Sequence, residues 1–112
     1  MIEFLFWEGC PSHERALERL RGAMAEYAVE DRELQVTEVL TDADAARLGF
    51  PGSPTIRFDG VDLQDPSDQP SALTCRLYRL RDGRPSPLPD PDDLRDSLRN
   101  YAARHVTQDT GG

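Results

Sequence analysis

The abrupt change of pattern between residues 2 and 28 constrains the fold more than any other feature of the chain. The segment IEFLFW at 2–7 is almost continuously apolar and rich in aromatic residues, as in a strand that is buried on both faces. From Pro11 onward, apolar residues recur at spacings of three and four with Arg and Glu between them, which predicts an amphipathic helix. The strand therefore passes directly into a helix, and Cys10 and Pro11 lie at the junction.

The remaining patterns predict an α/β chain. The predicted elements are strands at 2–7, 34–40, 55–58 and 74–80, a helix from Pro11, a short helix from an N-cap at Asp42 to Gly49, and a closing helix from an N-cap at Asp90. Residues 61–73 are rich in Asp, Pro, Ser and Gln, and we expect an irregular loop there. The order β-α-β-α-β-β-α predicts a mixed four-stranded sheet flanked by helices, because a parallel β-α-β unit is joined to an antiparallel hairpin.

Length and charge limit the organisation and the partners. A chain of 112 residues suits one domain, which we place at 1–106, and the polar, Gly-ended segment 107–112 is expected to be a disordered tail. The 13 basic residues are all arginine, and 21 acidic residues give a formal net charge of -8. We therefore expect no nucleic-acid partner and no anionic membrane surface, because both need clustered cations.

The first residues and the cysteine count indicate the compartment and the state of the thiols. The N-terminal segment lacks a basic region and its apolar run is too short for a secretory signal or a membrane span, which predicts a cytoplasmic protein. Cys10 and Cys75 are too few for a disulfide-stapled scaffold. If 74–80 is the fourth strand, Cys75 lies about 15 Å from Cys10 and is a core thiol. If 61–64 is the fourth strand instead, Cys75 belongs to an added element, and a Cys10–Cys75 disulfide remains an alternative.

Two motifs, WEGCPSH at 7–13 and GSPTIRFDG at 52–60, carry a resemblance to a known family. In this order of elements, over residues 2–104, the chain resembles the thioredoxin superfamily, and in particular small bacterial thioredoxin-like proteins. The resemblance implies a thioredoxin-like fold, a cis Pro54 facing Cys10, and backbone groups of Ser53 that pair with a bound peptide or thiol substrate. The chain departs from the redox-active Cys-x-x-Cys pattern, because His13 stands at the second cysteine position.

The predicted site is centred on Cys10, which we place at the N-cap of the first long helix, where the helix dipole favours a thiolate. His13, on the same first turn, either relays a proton or pairs with Glu8 or Glu14 as a structural side chain. The predicted catalytic residues are Cys10 and His13, and the predicted substrate-binding residues are Trp7, Pro11, Ser53, Pro54 and Thr55. We predict no metal site and no cofactor, with glutathione as a possible co-substrate, because the Cys and His spacing is not that of a metal signature.

Three functions fit these residues. In the first, Cys10 is the thiol of a monothiol redox protein in thiol–disulfide or glutathione exchange, a possible thiol–disulfide oxidoreductase whose partners are protein or small-molecule thiols and disulfides. The alternative is a non-catalytic thioredoxin-fold binding module that presents the Ser53–Pro54 groove to a protein or peptide. The third is a sensor of electrophiles or soft metals that uses Cys10 alone.

Overall fold

The computed structural model describes residues 1–66 and 69–110, with side chains to residue 105. Its elements in chain order are β1 (Ile2–Phe6), α1 (Ser12–Glu26), a 3₁₀ turn (Asp31–Glu33), β2 (Leu34–Glu38), α2 (Asp42–Leu48), β3 (Thr55–Phe58), β4 (Val61–Asp62), β5 (Tyr78–Arg79), β6 (Pro85–Ser86) and α3 (Pro91–Thr110). The predicted α/β class is therefore confirmed.

The main sheet is four-stranded and mixed, as predicted, with strand order β2-β1-β3-β4. β1 pairs in parallel with β2, where Ile2 lies opposite Leu34, and antiparallel with β3, where Ile2 lies opposite Phe58. The parallel pair is connected by α1, as a parallel crossover requires. β1 is thus an internal strand, and the chain that leaves its end enters the region around Cys10.

Helices cover both faces of the sheet. On one face, buried side chains of α1 and α3 pack against the sheet in a cluster that includes Phe4, Leu20, Ile56 and Leu98. A smaller cluster on the other face joins Leu5 of β1 to Val39, Ala45 and Phe50, with Ala45 contributed by α2. Because neighbouring residues of a strand face opposite sides, this arrangement explains why β1 is almost continuously apolar.

The predicted fourth strand at 74–80 is wrong. The fourth strand of the main sheet is β4, which follows β3 through the two-residue turn Asp59–Gly60, with Phe58 opposite Val61. Both turn residues have positive φ, 53° and 85°, as a tight hairpin turn requires. The loop predicted at 61–73 accordingly begins with a strand. Within 74–80 only Tyr78–Arg79 is a strand, and it pairs with Pro85–Ser86 in a separate two-stranded sheet.

Side chains cap the N termini of α2 and α3, and a left-handed glycine ends α2. α2 has Thr41 as its N-cap, with Oγ1 accepting from Asp44 N–H at 3.0 Å, so the prediction of Asp42 as N-cap was wrong by one residue. The predicted stop at Gly49 is confirmed, since Gly49 is left-handed at φ 61°. At α3, Asp90 Oδ1 accepts from Asp92 N–H at 2.9 Å, as an N-cap does.

α3 continues to Thr110. The predicted tail at 107–112 begins inside this helix and ends at 111–112, outside the described residues, so it stays a prediction. Among the helices of the described residues, none combines the length and the apolar character needed to cross a membrane.

Candidate functional site

Cys10 lies in a tight turn between β1 and α1. Its N–H donates to the Trp7 carbonyl at 3.1 Å, and its own carbonyl accepts from His13 N–H at 3.5 Å. α1 begins at Ser12 with Pro11 as N-cap, so the helix starts one residue later than predicted. Cys10 precedes the N-cap because its amide is used by the turn.

The segment that leads into β3 faces Cys10 directly. The Ser53–Pro54 peptide bond is cis, as predicted, and both residues are buried. Ser53 contacts the β1–α1 turn twice, because its Oγ accepts from Trp7 N–H at 3.0 Å and its carbonyl accepts from the Cys10 thiol at 3.5 Å. The two motifs at 7–13 and 52–60 therefore form one site.

Cys75 lies at the same site, so its predicted place near the opposite pole of the sheet was wrong. Ser53 and Cys75 form a parallel β-bridge, in which Ser53 N–H donates to the Thr74 carbonyl at 2.8 Å and Arg76 N–H donates to the Ser53 carbonyl at 2.9 Å. Cys10 is the largest influence on the pKa of the Cys75 thiol, so the two side chains are near neighbours. Because β4 takes the edge of the main sheet, the segment 74–76 is free to return to the end of β1.

The two thiols differ in exposure. Cys10 is completely buried, whereas Cys75 is exposed and is not the core thiol that we predicted. The hydrogen bond to Cys10, reinforced by partial desolvation and by the Coulomb interaction with Cys10, raises the pKa of Cys75 to about 11. At neutral pH the Cys75 thiol is therefore protonated.

A buried arginine holds the segment 74–76 in place. Arg76 is 2% exposed, and its guanidinium makes two contacts of 2.9 Å with the two carboxylate oxygens of Asp62 in β4. It also donates to the Gln64 carbonyl and, at 3.4 Å, to Thr55 Oγ1. Its guanidinium carbon lies 4.3 Å from the ring centroid of Tyr78. The charge is thus neutralised and both terminal guanidinium nitrogens are hydrogen-bonded, whereas the buried Nε has no hydrogen-bond partner among the described residues.

Tyr78 and Gly52 attach the same stretch to the cis-proline loop. Tyr78 is buried, and its hydroxyl donates to the Pro54 carbonyl at 2.6 Å. Burial raises the pKa of Tyr78 above its ordinary value, so the hydroxyl remains a donor. A Cβ on Gly52 would lie 3.0 Å from Arg76 backbone atoms, and its φ of 136° is also one that side chains disfavour. Glycine at this position therefore allows the two backbones to approach.

His13 and Trp7, two other predicted site residues, lie in the first turn of α1 and directly after β1, respectively. The His13 ring stacks on Phe6 with centroids 4.6 Å apart, and its Nε2 lies 3.7 Å from a Glu8 carboxylate oxygen. The hydrogen bonds of the described residues include none between the side chains of His13 and Cys10, so the structural pairing with Glu8 is the one observed. The Trp7 indole is half-buried and lies over Gly9.

Pro11 and Thr55 differ in exposure. Pro11 is exposed and borders a shallow pocket of about 230 Å³ that Pro87 and Leu88 also line. Thr55 is buried behind the cis-proline loop, and its hydroxyl donates to the Gly52 carbonyl at 2.7 Å. Thr55 therefore supports the loop from inside, and Pro11 is accessible at the surface.

Sequence reasoning missed three residues of the site, Asp62, Arg76 and Tyr78. It brought Cys75 to Cys10 only in the alternative in which 61–64 is the fourth strand, and β4 at Val61–Asp62 favours that alternative. The available signal was the Asp59–Gly60 pair, which is the strongest short-range indication of a hairpin and should have extended the strand pattern to 61–62. With that strand assigned, the segment around Cys75 would have been left without a place in the main sheet.

Within residues 1–66 and 69–110, no group of three or more His, Cys, Asp or Glu side chains is arranged to hold a metal ion. Comparisons of the chain with protein-family models, with curated proteins and with solved structures found no match.

Proposed function

We propose that this protein is a thioredoxin-like thiol–disulfide exchange protein in which Cys10 is the redox thiol. Its co-substrates are protein or small-molecule thiols and disulfides, with glutathione as the simplest. The observation that carries the proposal is the contact of the Cys10 thiol with the Ser53 carbonyl, immediately before a cis proline. A mixed sheet with Cys10 after its first strand and Pro54 before its third supports the fold assignment.

The surroundings of Cys10 suit a sulfur that enters and leaves disulfides. Cys10 immediately precedes Pro11, the N-cap of α1, and the unpaired N–H groups and the dipole at a helix N terminus stabilise negative charge. A leaving thiolate at this position is therefore favoured over one in the apolar core. His13 contributes through its stacking on Phe6, which fixes the first turn of the helix.

The alternative function, a module that presents the Ser53–Pro54 groove to a peptide, has less support. Its affinity would come from the backbone N–H and carbonyl of Ser53, as in the addition of a strand. Both groups already bond to the segment 74–76, at 2.8 Å and 2.9 Å. A peptide would have to displace that segment together with the buried Arg76.

The test is glutathione-dependent reduction of a glutathionylated peptide, coupled to glutathione reductase so that consumption of NADPH reports turnover. We expect Cys10→Ser to lower the rate at least about 100-fold, because the leaving thiolate is lost. Cys10→Ala is the second variant, since it tests whether a buried hydroxyl disturbs the site. Far-UV circular dichroism and urea unfolding confirm that each variant is folded. A folded Cys10 variant that keeps the wild-type rate would refute the proposal.

A further inference from the structure

The segment 74–76 occupies the place that a bound peptide takes when it pairs with the residue before the proline. It runs parallel to the chain at 50–53, with Ala72 N–H donating to the Phe50 carbonyl at 3.0 Å and with both backbone groups of Ser53 bonded to residues 74 and 76. Cys75 lies between those two bonds, opposite Ser53, whose carbonyl also accepts from the Cys10 thiol. The chain therefore presents its own cysteine to Cys10.

The anchoring of this segment holds the two sulfurs in contact. Arg76, the residue after Cys75, is fixed by the Asp62 ion pair, and Tyr78 is fixed by its bond to the Pro54 carbonyl. Gly52 lets the backbone at Arg76 approach the proline loop closely. Both sides of Cys75 are thus tied to the segment that carries Ser53, so the proximity of Cys75 to Cys10 is a feature of the folded site.

Cys10 and Cys75 differ in exposure, and this difference assigns them different roles in exchange. Cys10 is 0% exposed, and so an external sulfur cannot approach it while the segment 74–76 is in place. Cys75 is exposed beside it. We propose that Cys10 and Cys75 form one reversible disulfide pair, in which Cys75 is the sulfur that external thiols and disulfides reach and Cys10 is the buried resolving sulfur. This inference rests on the proposed function, because it assigns Cys10 its partner in exchange.

In the oxidising direction, the Cys75 thiolate attacks an external disulfide RSSR, forms a Cys75–SR mixed disulfide and releases RS⁻. The Cys10 thiolate then attacks the Cys75 sulfur, forms the Cys10–Cys75 disulfide and releases a second RS⁻. Two electrons and two protons leave the pair, and RSSR becomes two RSH. In the reducing direction the thiolate of an external RSH attacks the exposed Cys75 sulfur, forms Cys75–SR and releases Cys10 as a thiolate. A second RS⁻ attacks the external sulfur of Cys75–SR, forms RSSR and releases the Cys75 thiolate, and the two cysteines take up the two protons.

The proton on Cys75 makes the reduced pair slow to react at neutral pH. Because the bond to Cys10 is the largest cause of the raised pKa of Cys75, removal of Cys10 should lower that pKa from about 11 toward its ordinary value. We expect Cys10→Ala to speed alkylation of Cys75 at pH 8 about tenfold, since each unit of pKa changes the thiolate fraction tenfold.

The decisive experiment is peptide mapping after oxidation with excess oxidised glutathione and blocking of free thiols. The chain has no lysine, so trypsin cuts after arginines alone and places Cys10 in the peptide 1–15 and Cys75 in the peptide 58–76. We expect these two peptides to be linked, with the loss of two hydrogen atoms, and the link to disappear after treatment with reduced glutathione. Glutathione adducts or intermolecular dimers without this link would overturn the inference.

Two variants test the division of roles. Cys10→Ala should retain glutathione on Cys75, because the resolving sulfur is missing. Each variant leaves one thiol to be alkylated: Cys10 in Cys75→Ser and Cys75 in Cys10→Ala. Because Cys10 is buried, its alkylation should be at least about tenfold slower than that of Cys75. A Cys10 that reacts as fast as Cys75 would refute the assigned roles.

Turnover in the peptide-reduction assay separates this inference from the proposed function. The pair predicts that Cys75→Ser loses as much activity as Cys10→Ser. If Cys75→Ser keeps the wild-type rate while Cys10→Ser loses it, the pair is overturned and the exchange activity of Cys10 stands. If the linked peptides form and the wild-type protein has no turnover, the exchange function is refuted and the pairing of the two sulfurs is supported.

Discussion

Asp62→Asn removes the negative charge opposite the buried guanidinium of Arg76 and leaves the shape of the side chain nearly unchanged. The two side chains are 12% and 1% exposed, and each carboxylate oxygen lies 2.9 Å from a guanidinium nitrogen. An asparagine oxygen still accepts from Gln64 N–H, as Asp62 Oδ1 does at 3.0 Å. The substitution therefore removes the charge and one acceptor, because the amide NH2 that replaces Oδ2 is a donor and faces Arg76 Nη1.

The expected loss is about 3 kcal/mol, the lower end of the range for breaking a buried ion pair, because Arg76 keeps acceptors on Gln64 and Thr55. With a urea m-value of about 1.5 kcal/mol per molar, the unfolding midpoint should fall by about 2 M. Urea unfolding followed by circular dichroism measures the shift. Alkylation of Cys75 should also become faster, since Arg76 anchors the neighbouring residue.

The matched control is Glu30→Gln, which breaks the Glu30–Arg32 pair. That pair has the same 2.9 Å separation but side chains 65% and 80% exposed, so we expect a loss below about 1 kcal/mol. The double variant Asp62→Leu with Arg76→Met should be less destabilised than Asp62→Asn, because neither charge is then left buried. If Asp62→Asn costs no more than Glu30→Gln, the reasoning about a desolvated charge at this site is refuted.

Two further predictions concern the turn before Cys10 and the opposite end of the molecule. In Gly9→Ala a methyl group would lie 2.4 Å from a ring carbon of Trp7, so the ring must move and the fluorescence maximum of this single tryptophan should shift to longer wavelength. The control is Gly22→Ala, whose Cβ meets nothing within 4 Å and which should leave the maximum unchanged. Equal spectra for the two variants would contradict the prediction. At Asp59, a hydrogen bond from the amino terminus of Met1 and others from α3 lower the pKa to about 2. The resulting stability, of order 1 kcal/mol after screening at an exposed carboxylate, is present above about pH 4 and is lost as the pH falls toward 2. Urea midpoints of wild type and Asp59→Asn should therefore converge between pH 6 and pH 2, and a constant difference would refute this.

The sequence is most informative where the deciding contacts are local. The apolar run at 2–7 and the helical spacing after Pro11 identify β1 and α1, because a doubly buried strand and an amphipathic helix each have a distinct period. The cis Pro54 and its proximity to Cys10 followed from the resemblance carried by the two motifs. Cys10 follows β1 and Pro54 precedes β3, and β1 and β3 are adjacent strands, so the order of the strands already brings the two residues together.

The segment 74–80 was misassigned because its partners are distant in sequence. Its alternation is real, but the buried side chains are Arg76 and Tyr78, and Cys75 and Leu77 are exposed. Hydrophobicity favours the opposite face, since an arginine is almost never buried without a counter-charge. Only Asp62, fourteen residues earlier, makes the burial of Arg76 favourable, and a single sequence carries no sign of that pairing.

The same long-range pairing decides how the two sulfurs can be used. In a Cys-x-x-Cys site, one helical turn holds both thiols, so their contact survives changes elsewhere in the fold. Here Cys10 and Cys75 are carried by separate segments, and their contact depends on Ser53, on the Arg76–Asp62 pair and on Tyr78. Loss of these anchors would release the exposed thiol and uncover the buried one, although neither cysteine had been changed. The exchange chemistry of the pair is therefore linked to the stability of the segment 74–76, and the Asp62 variants measure both.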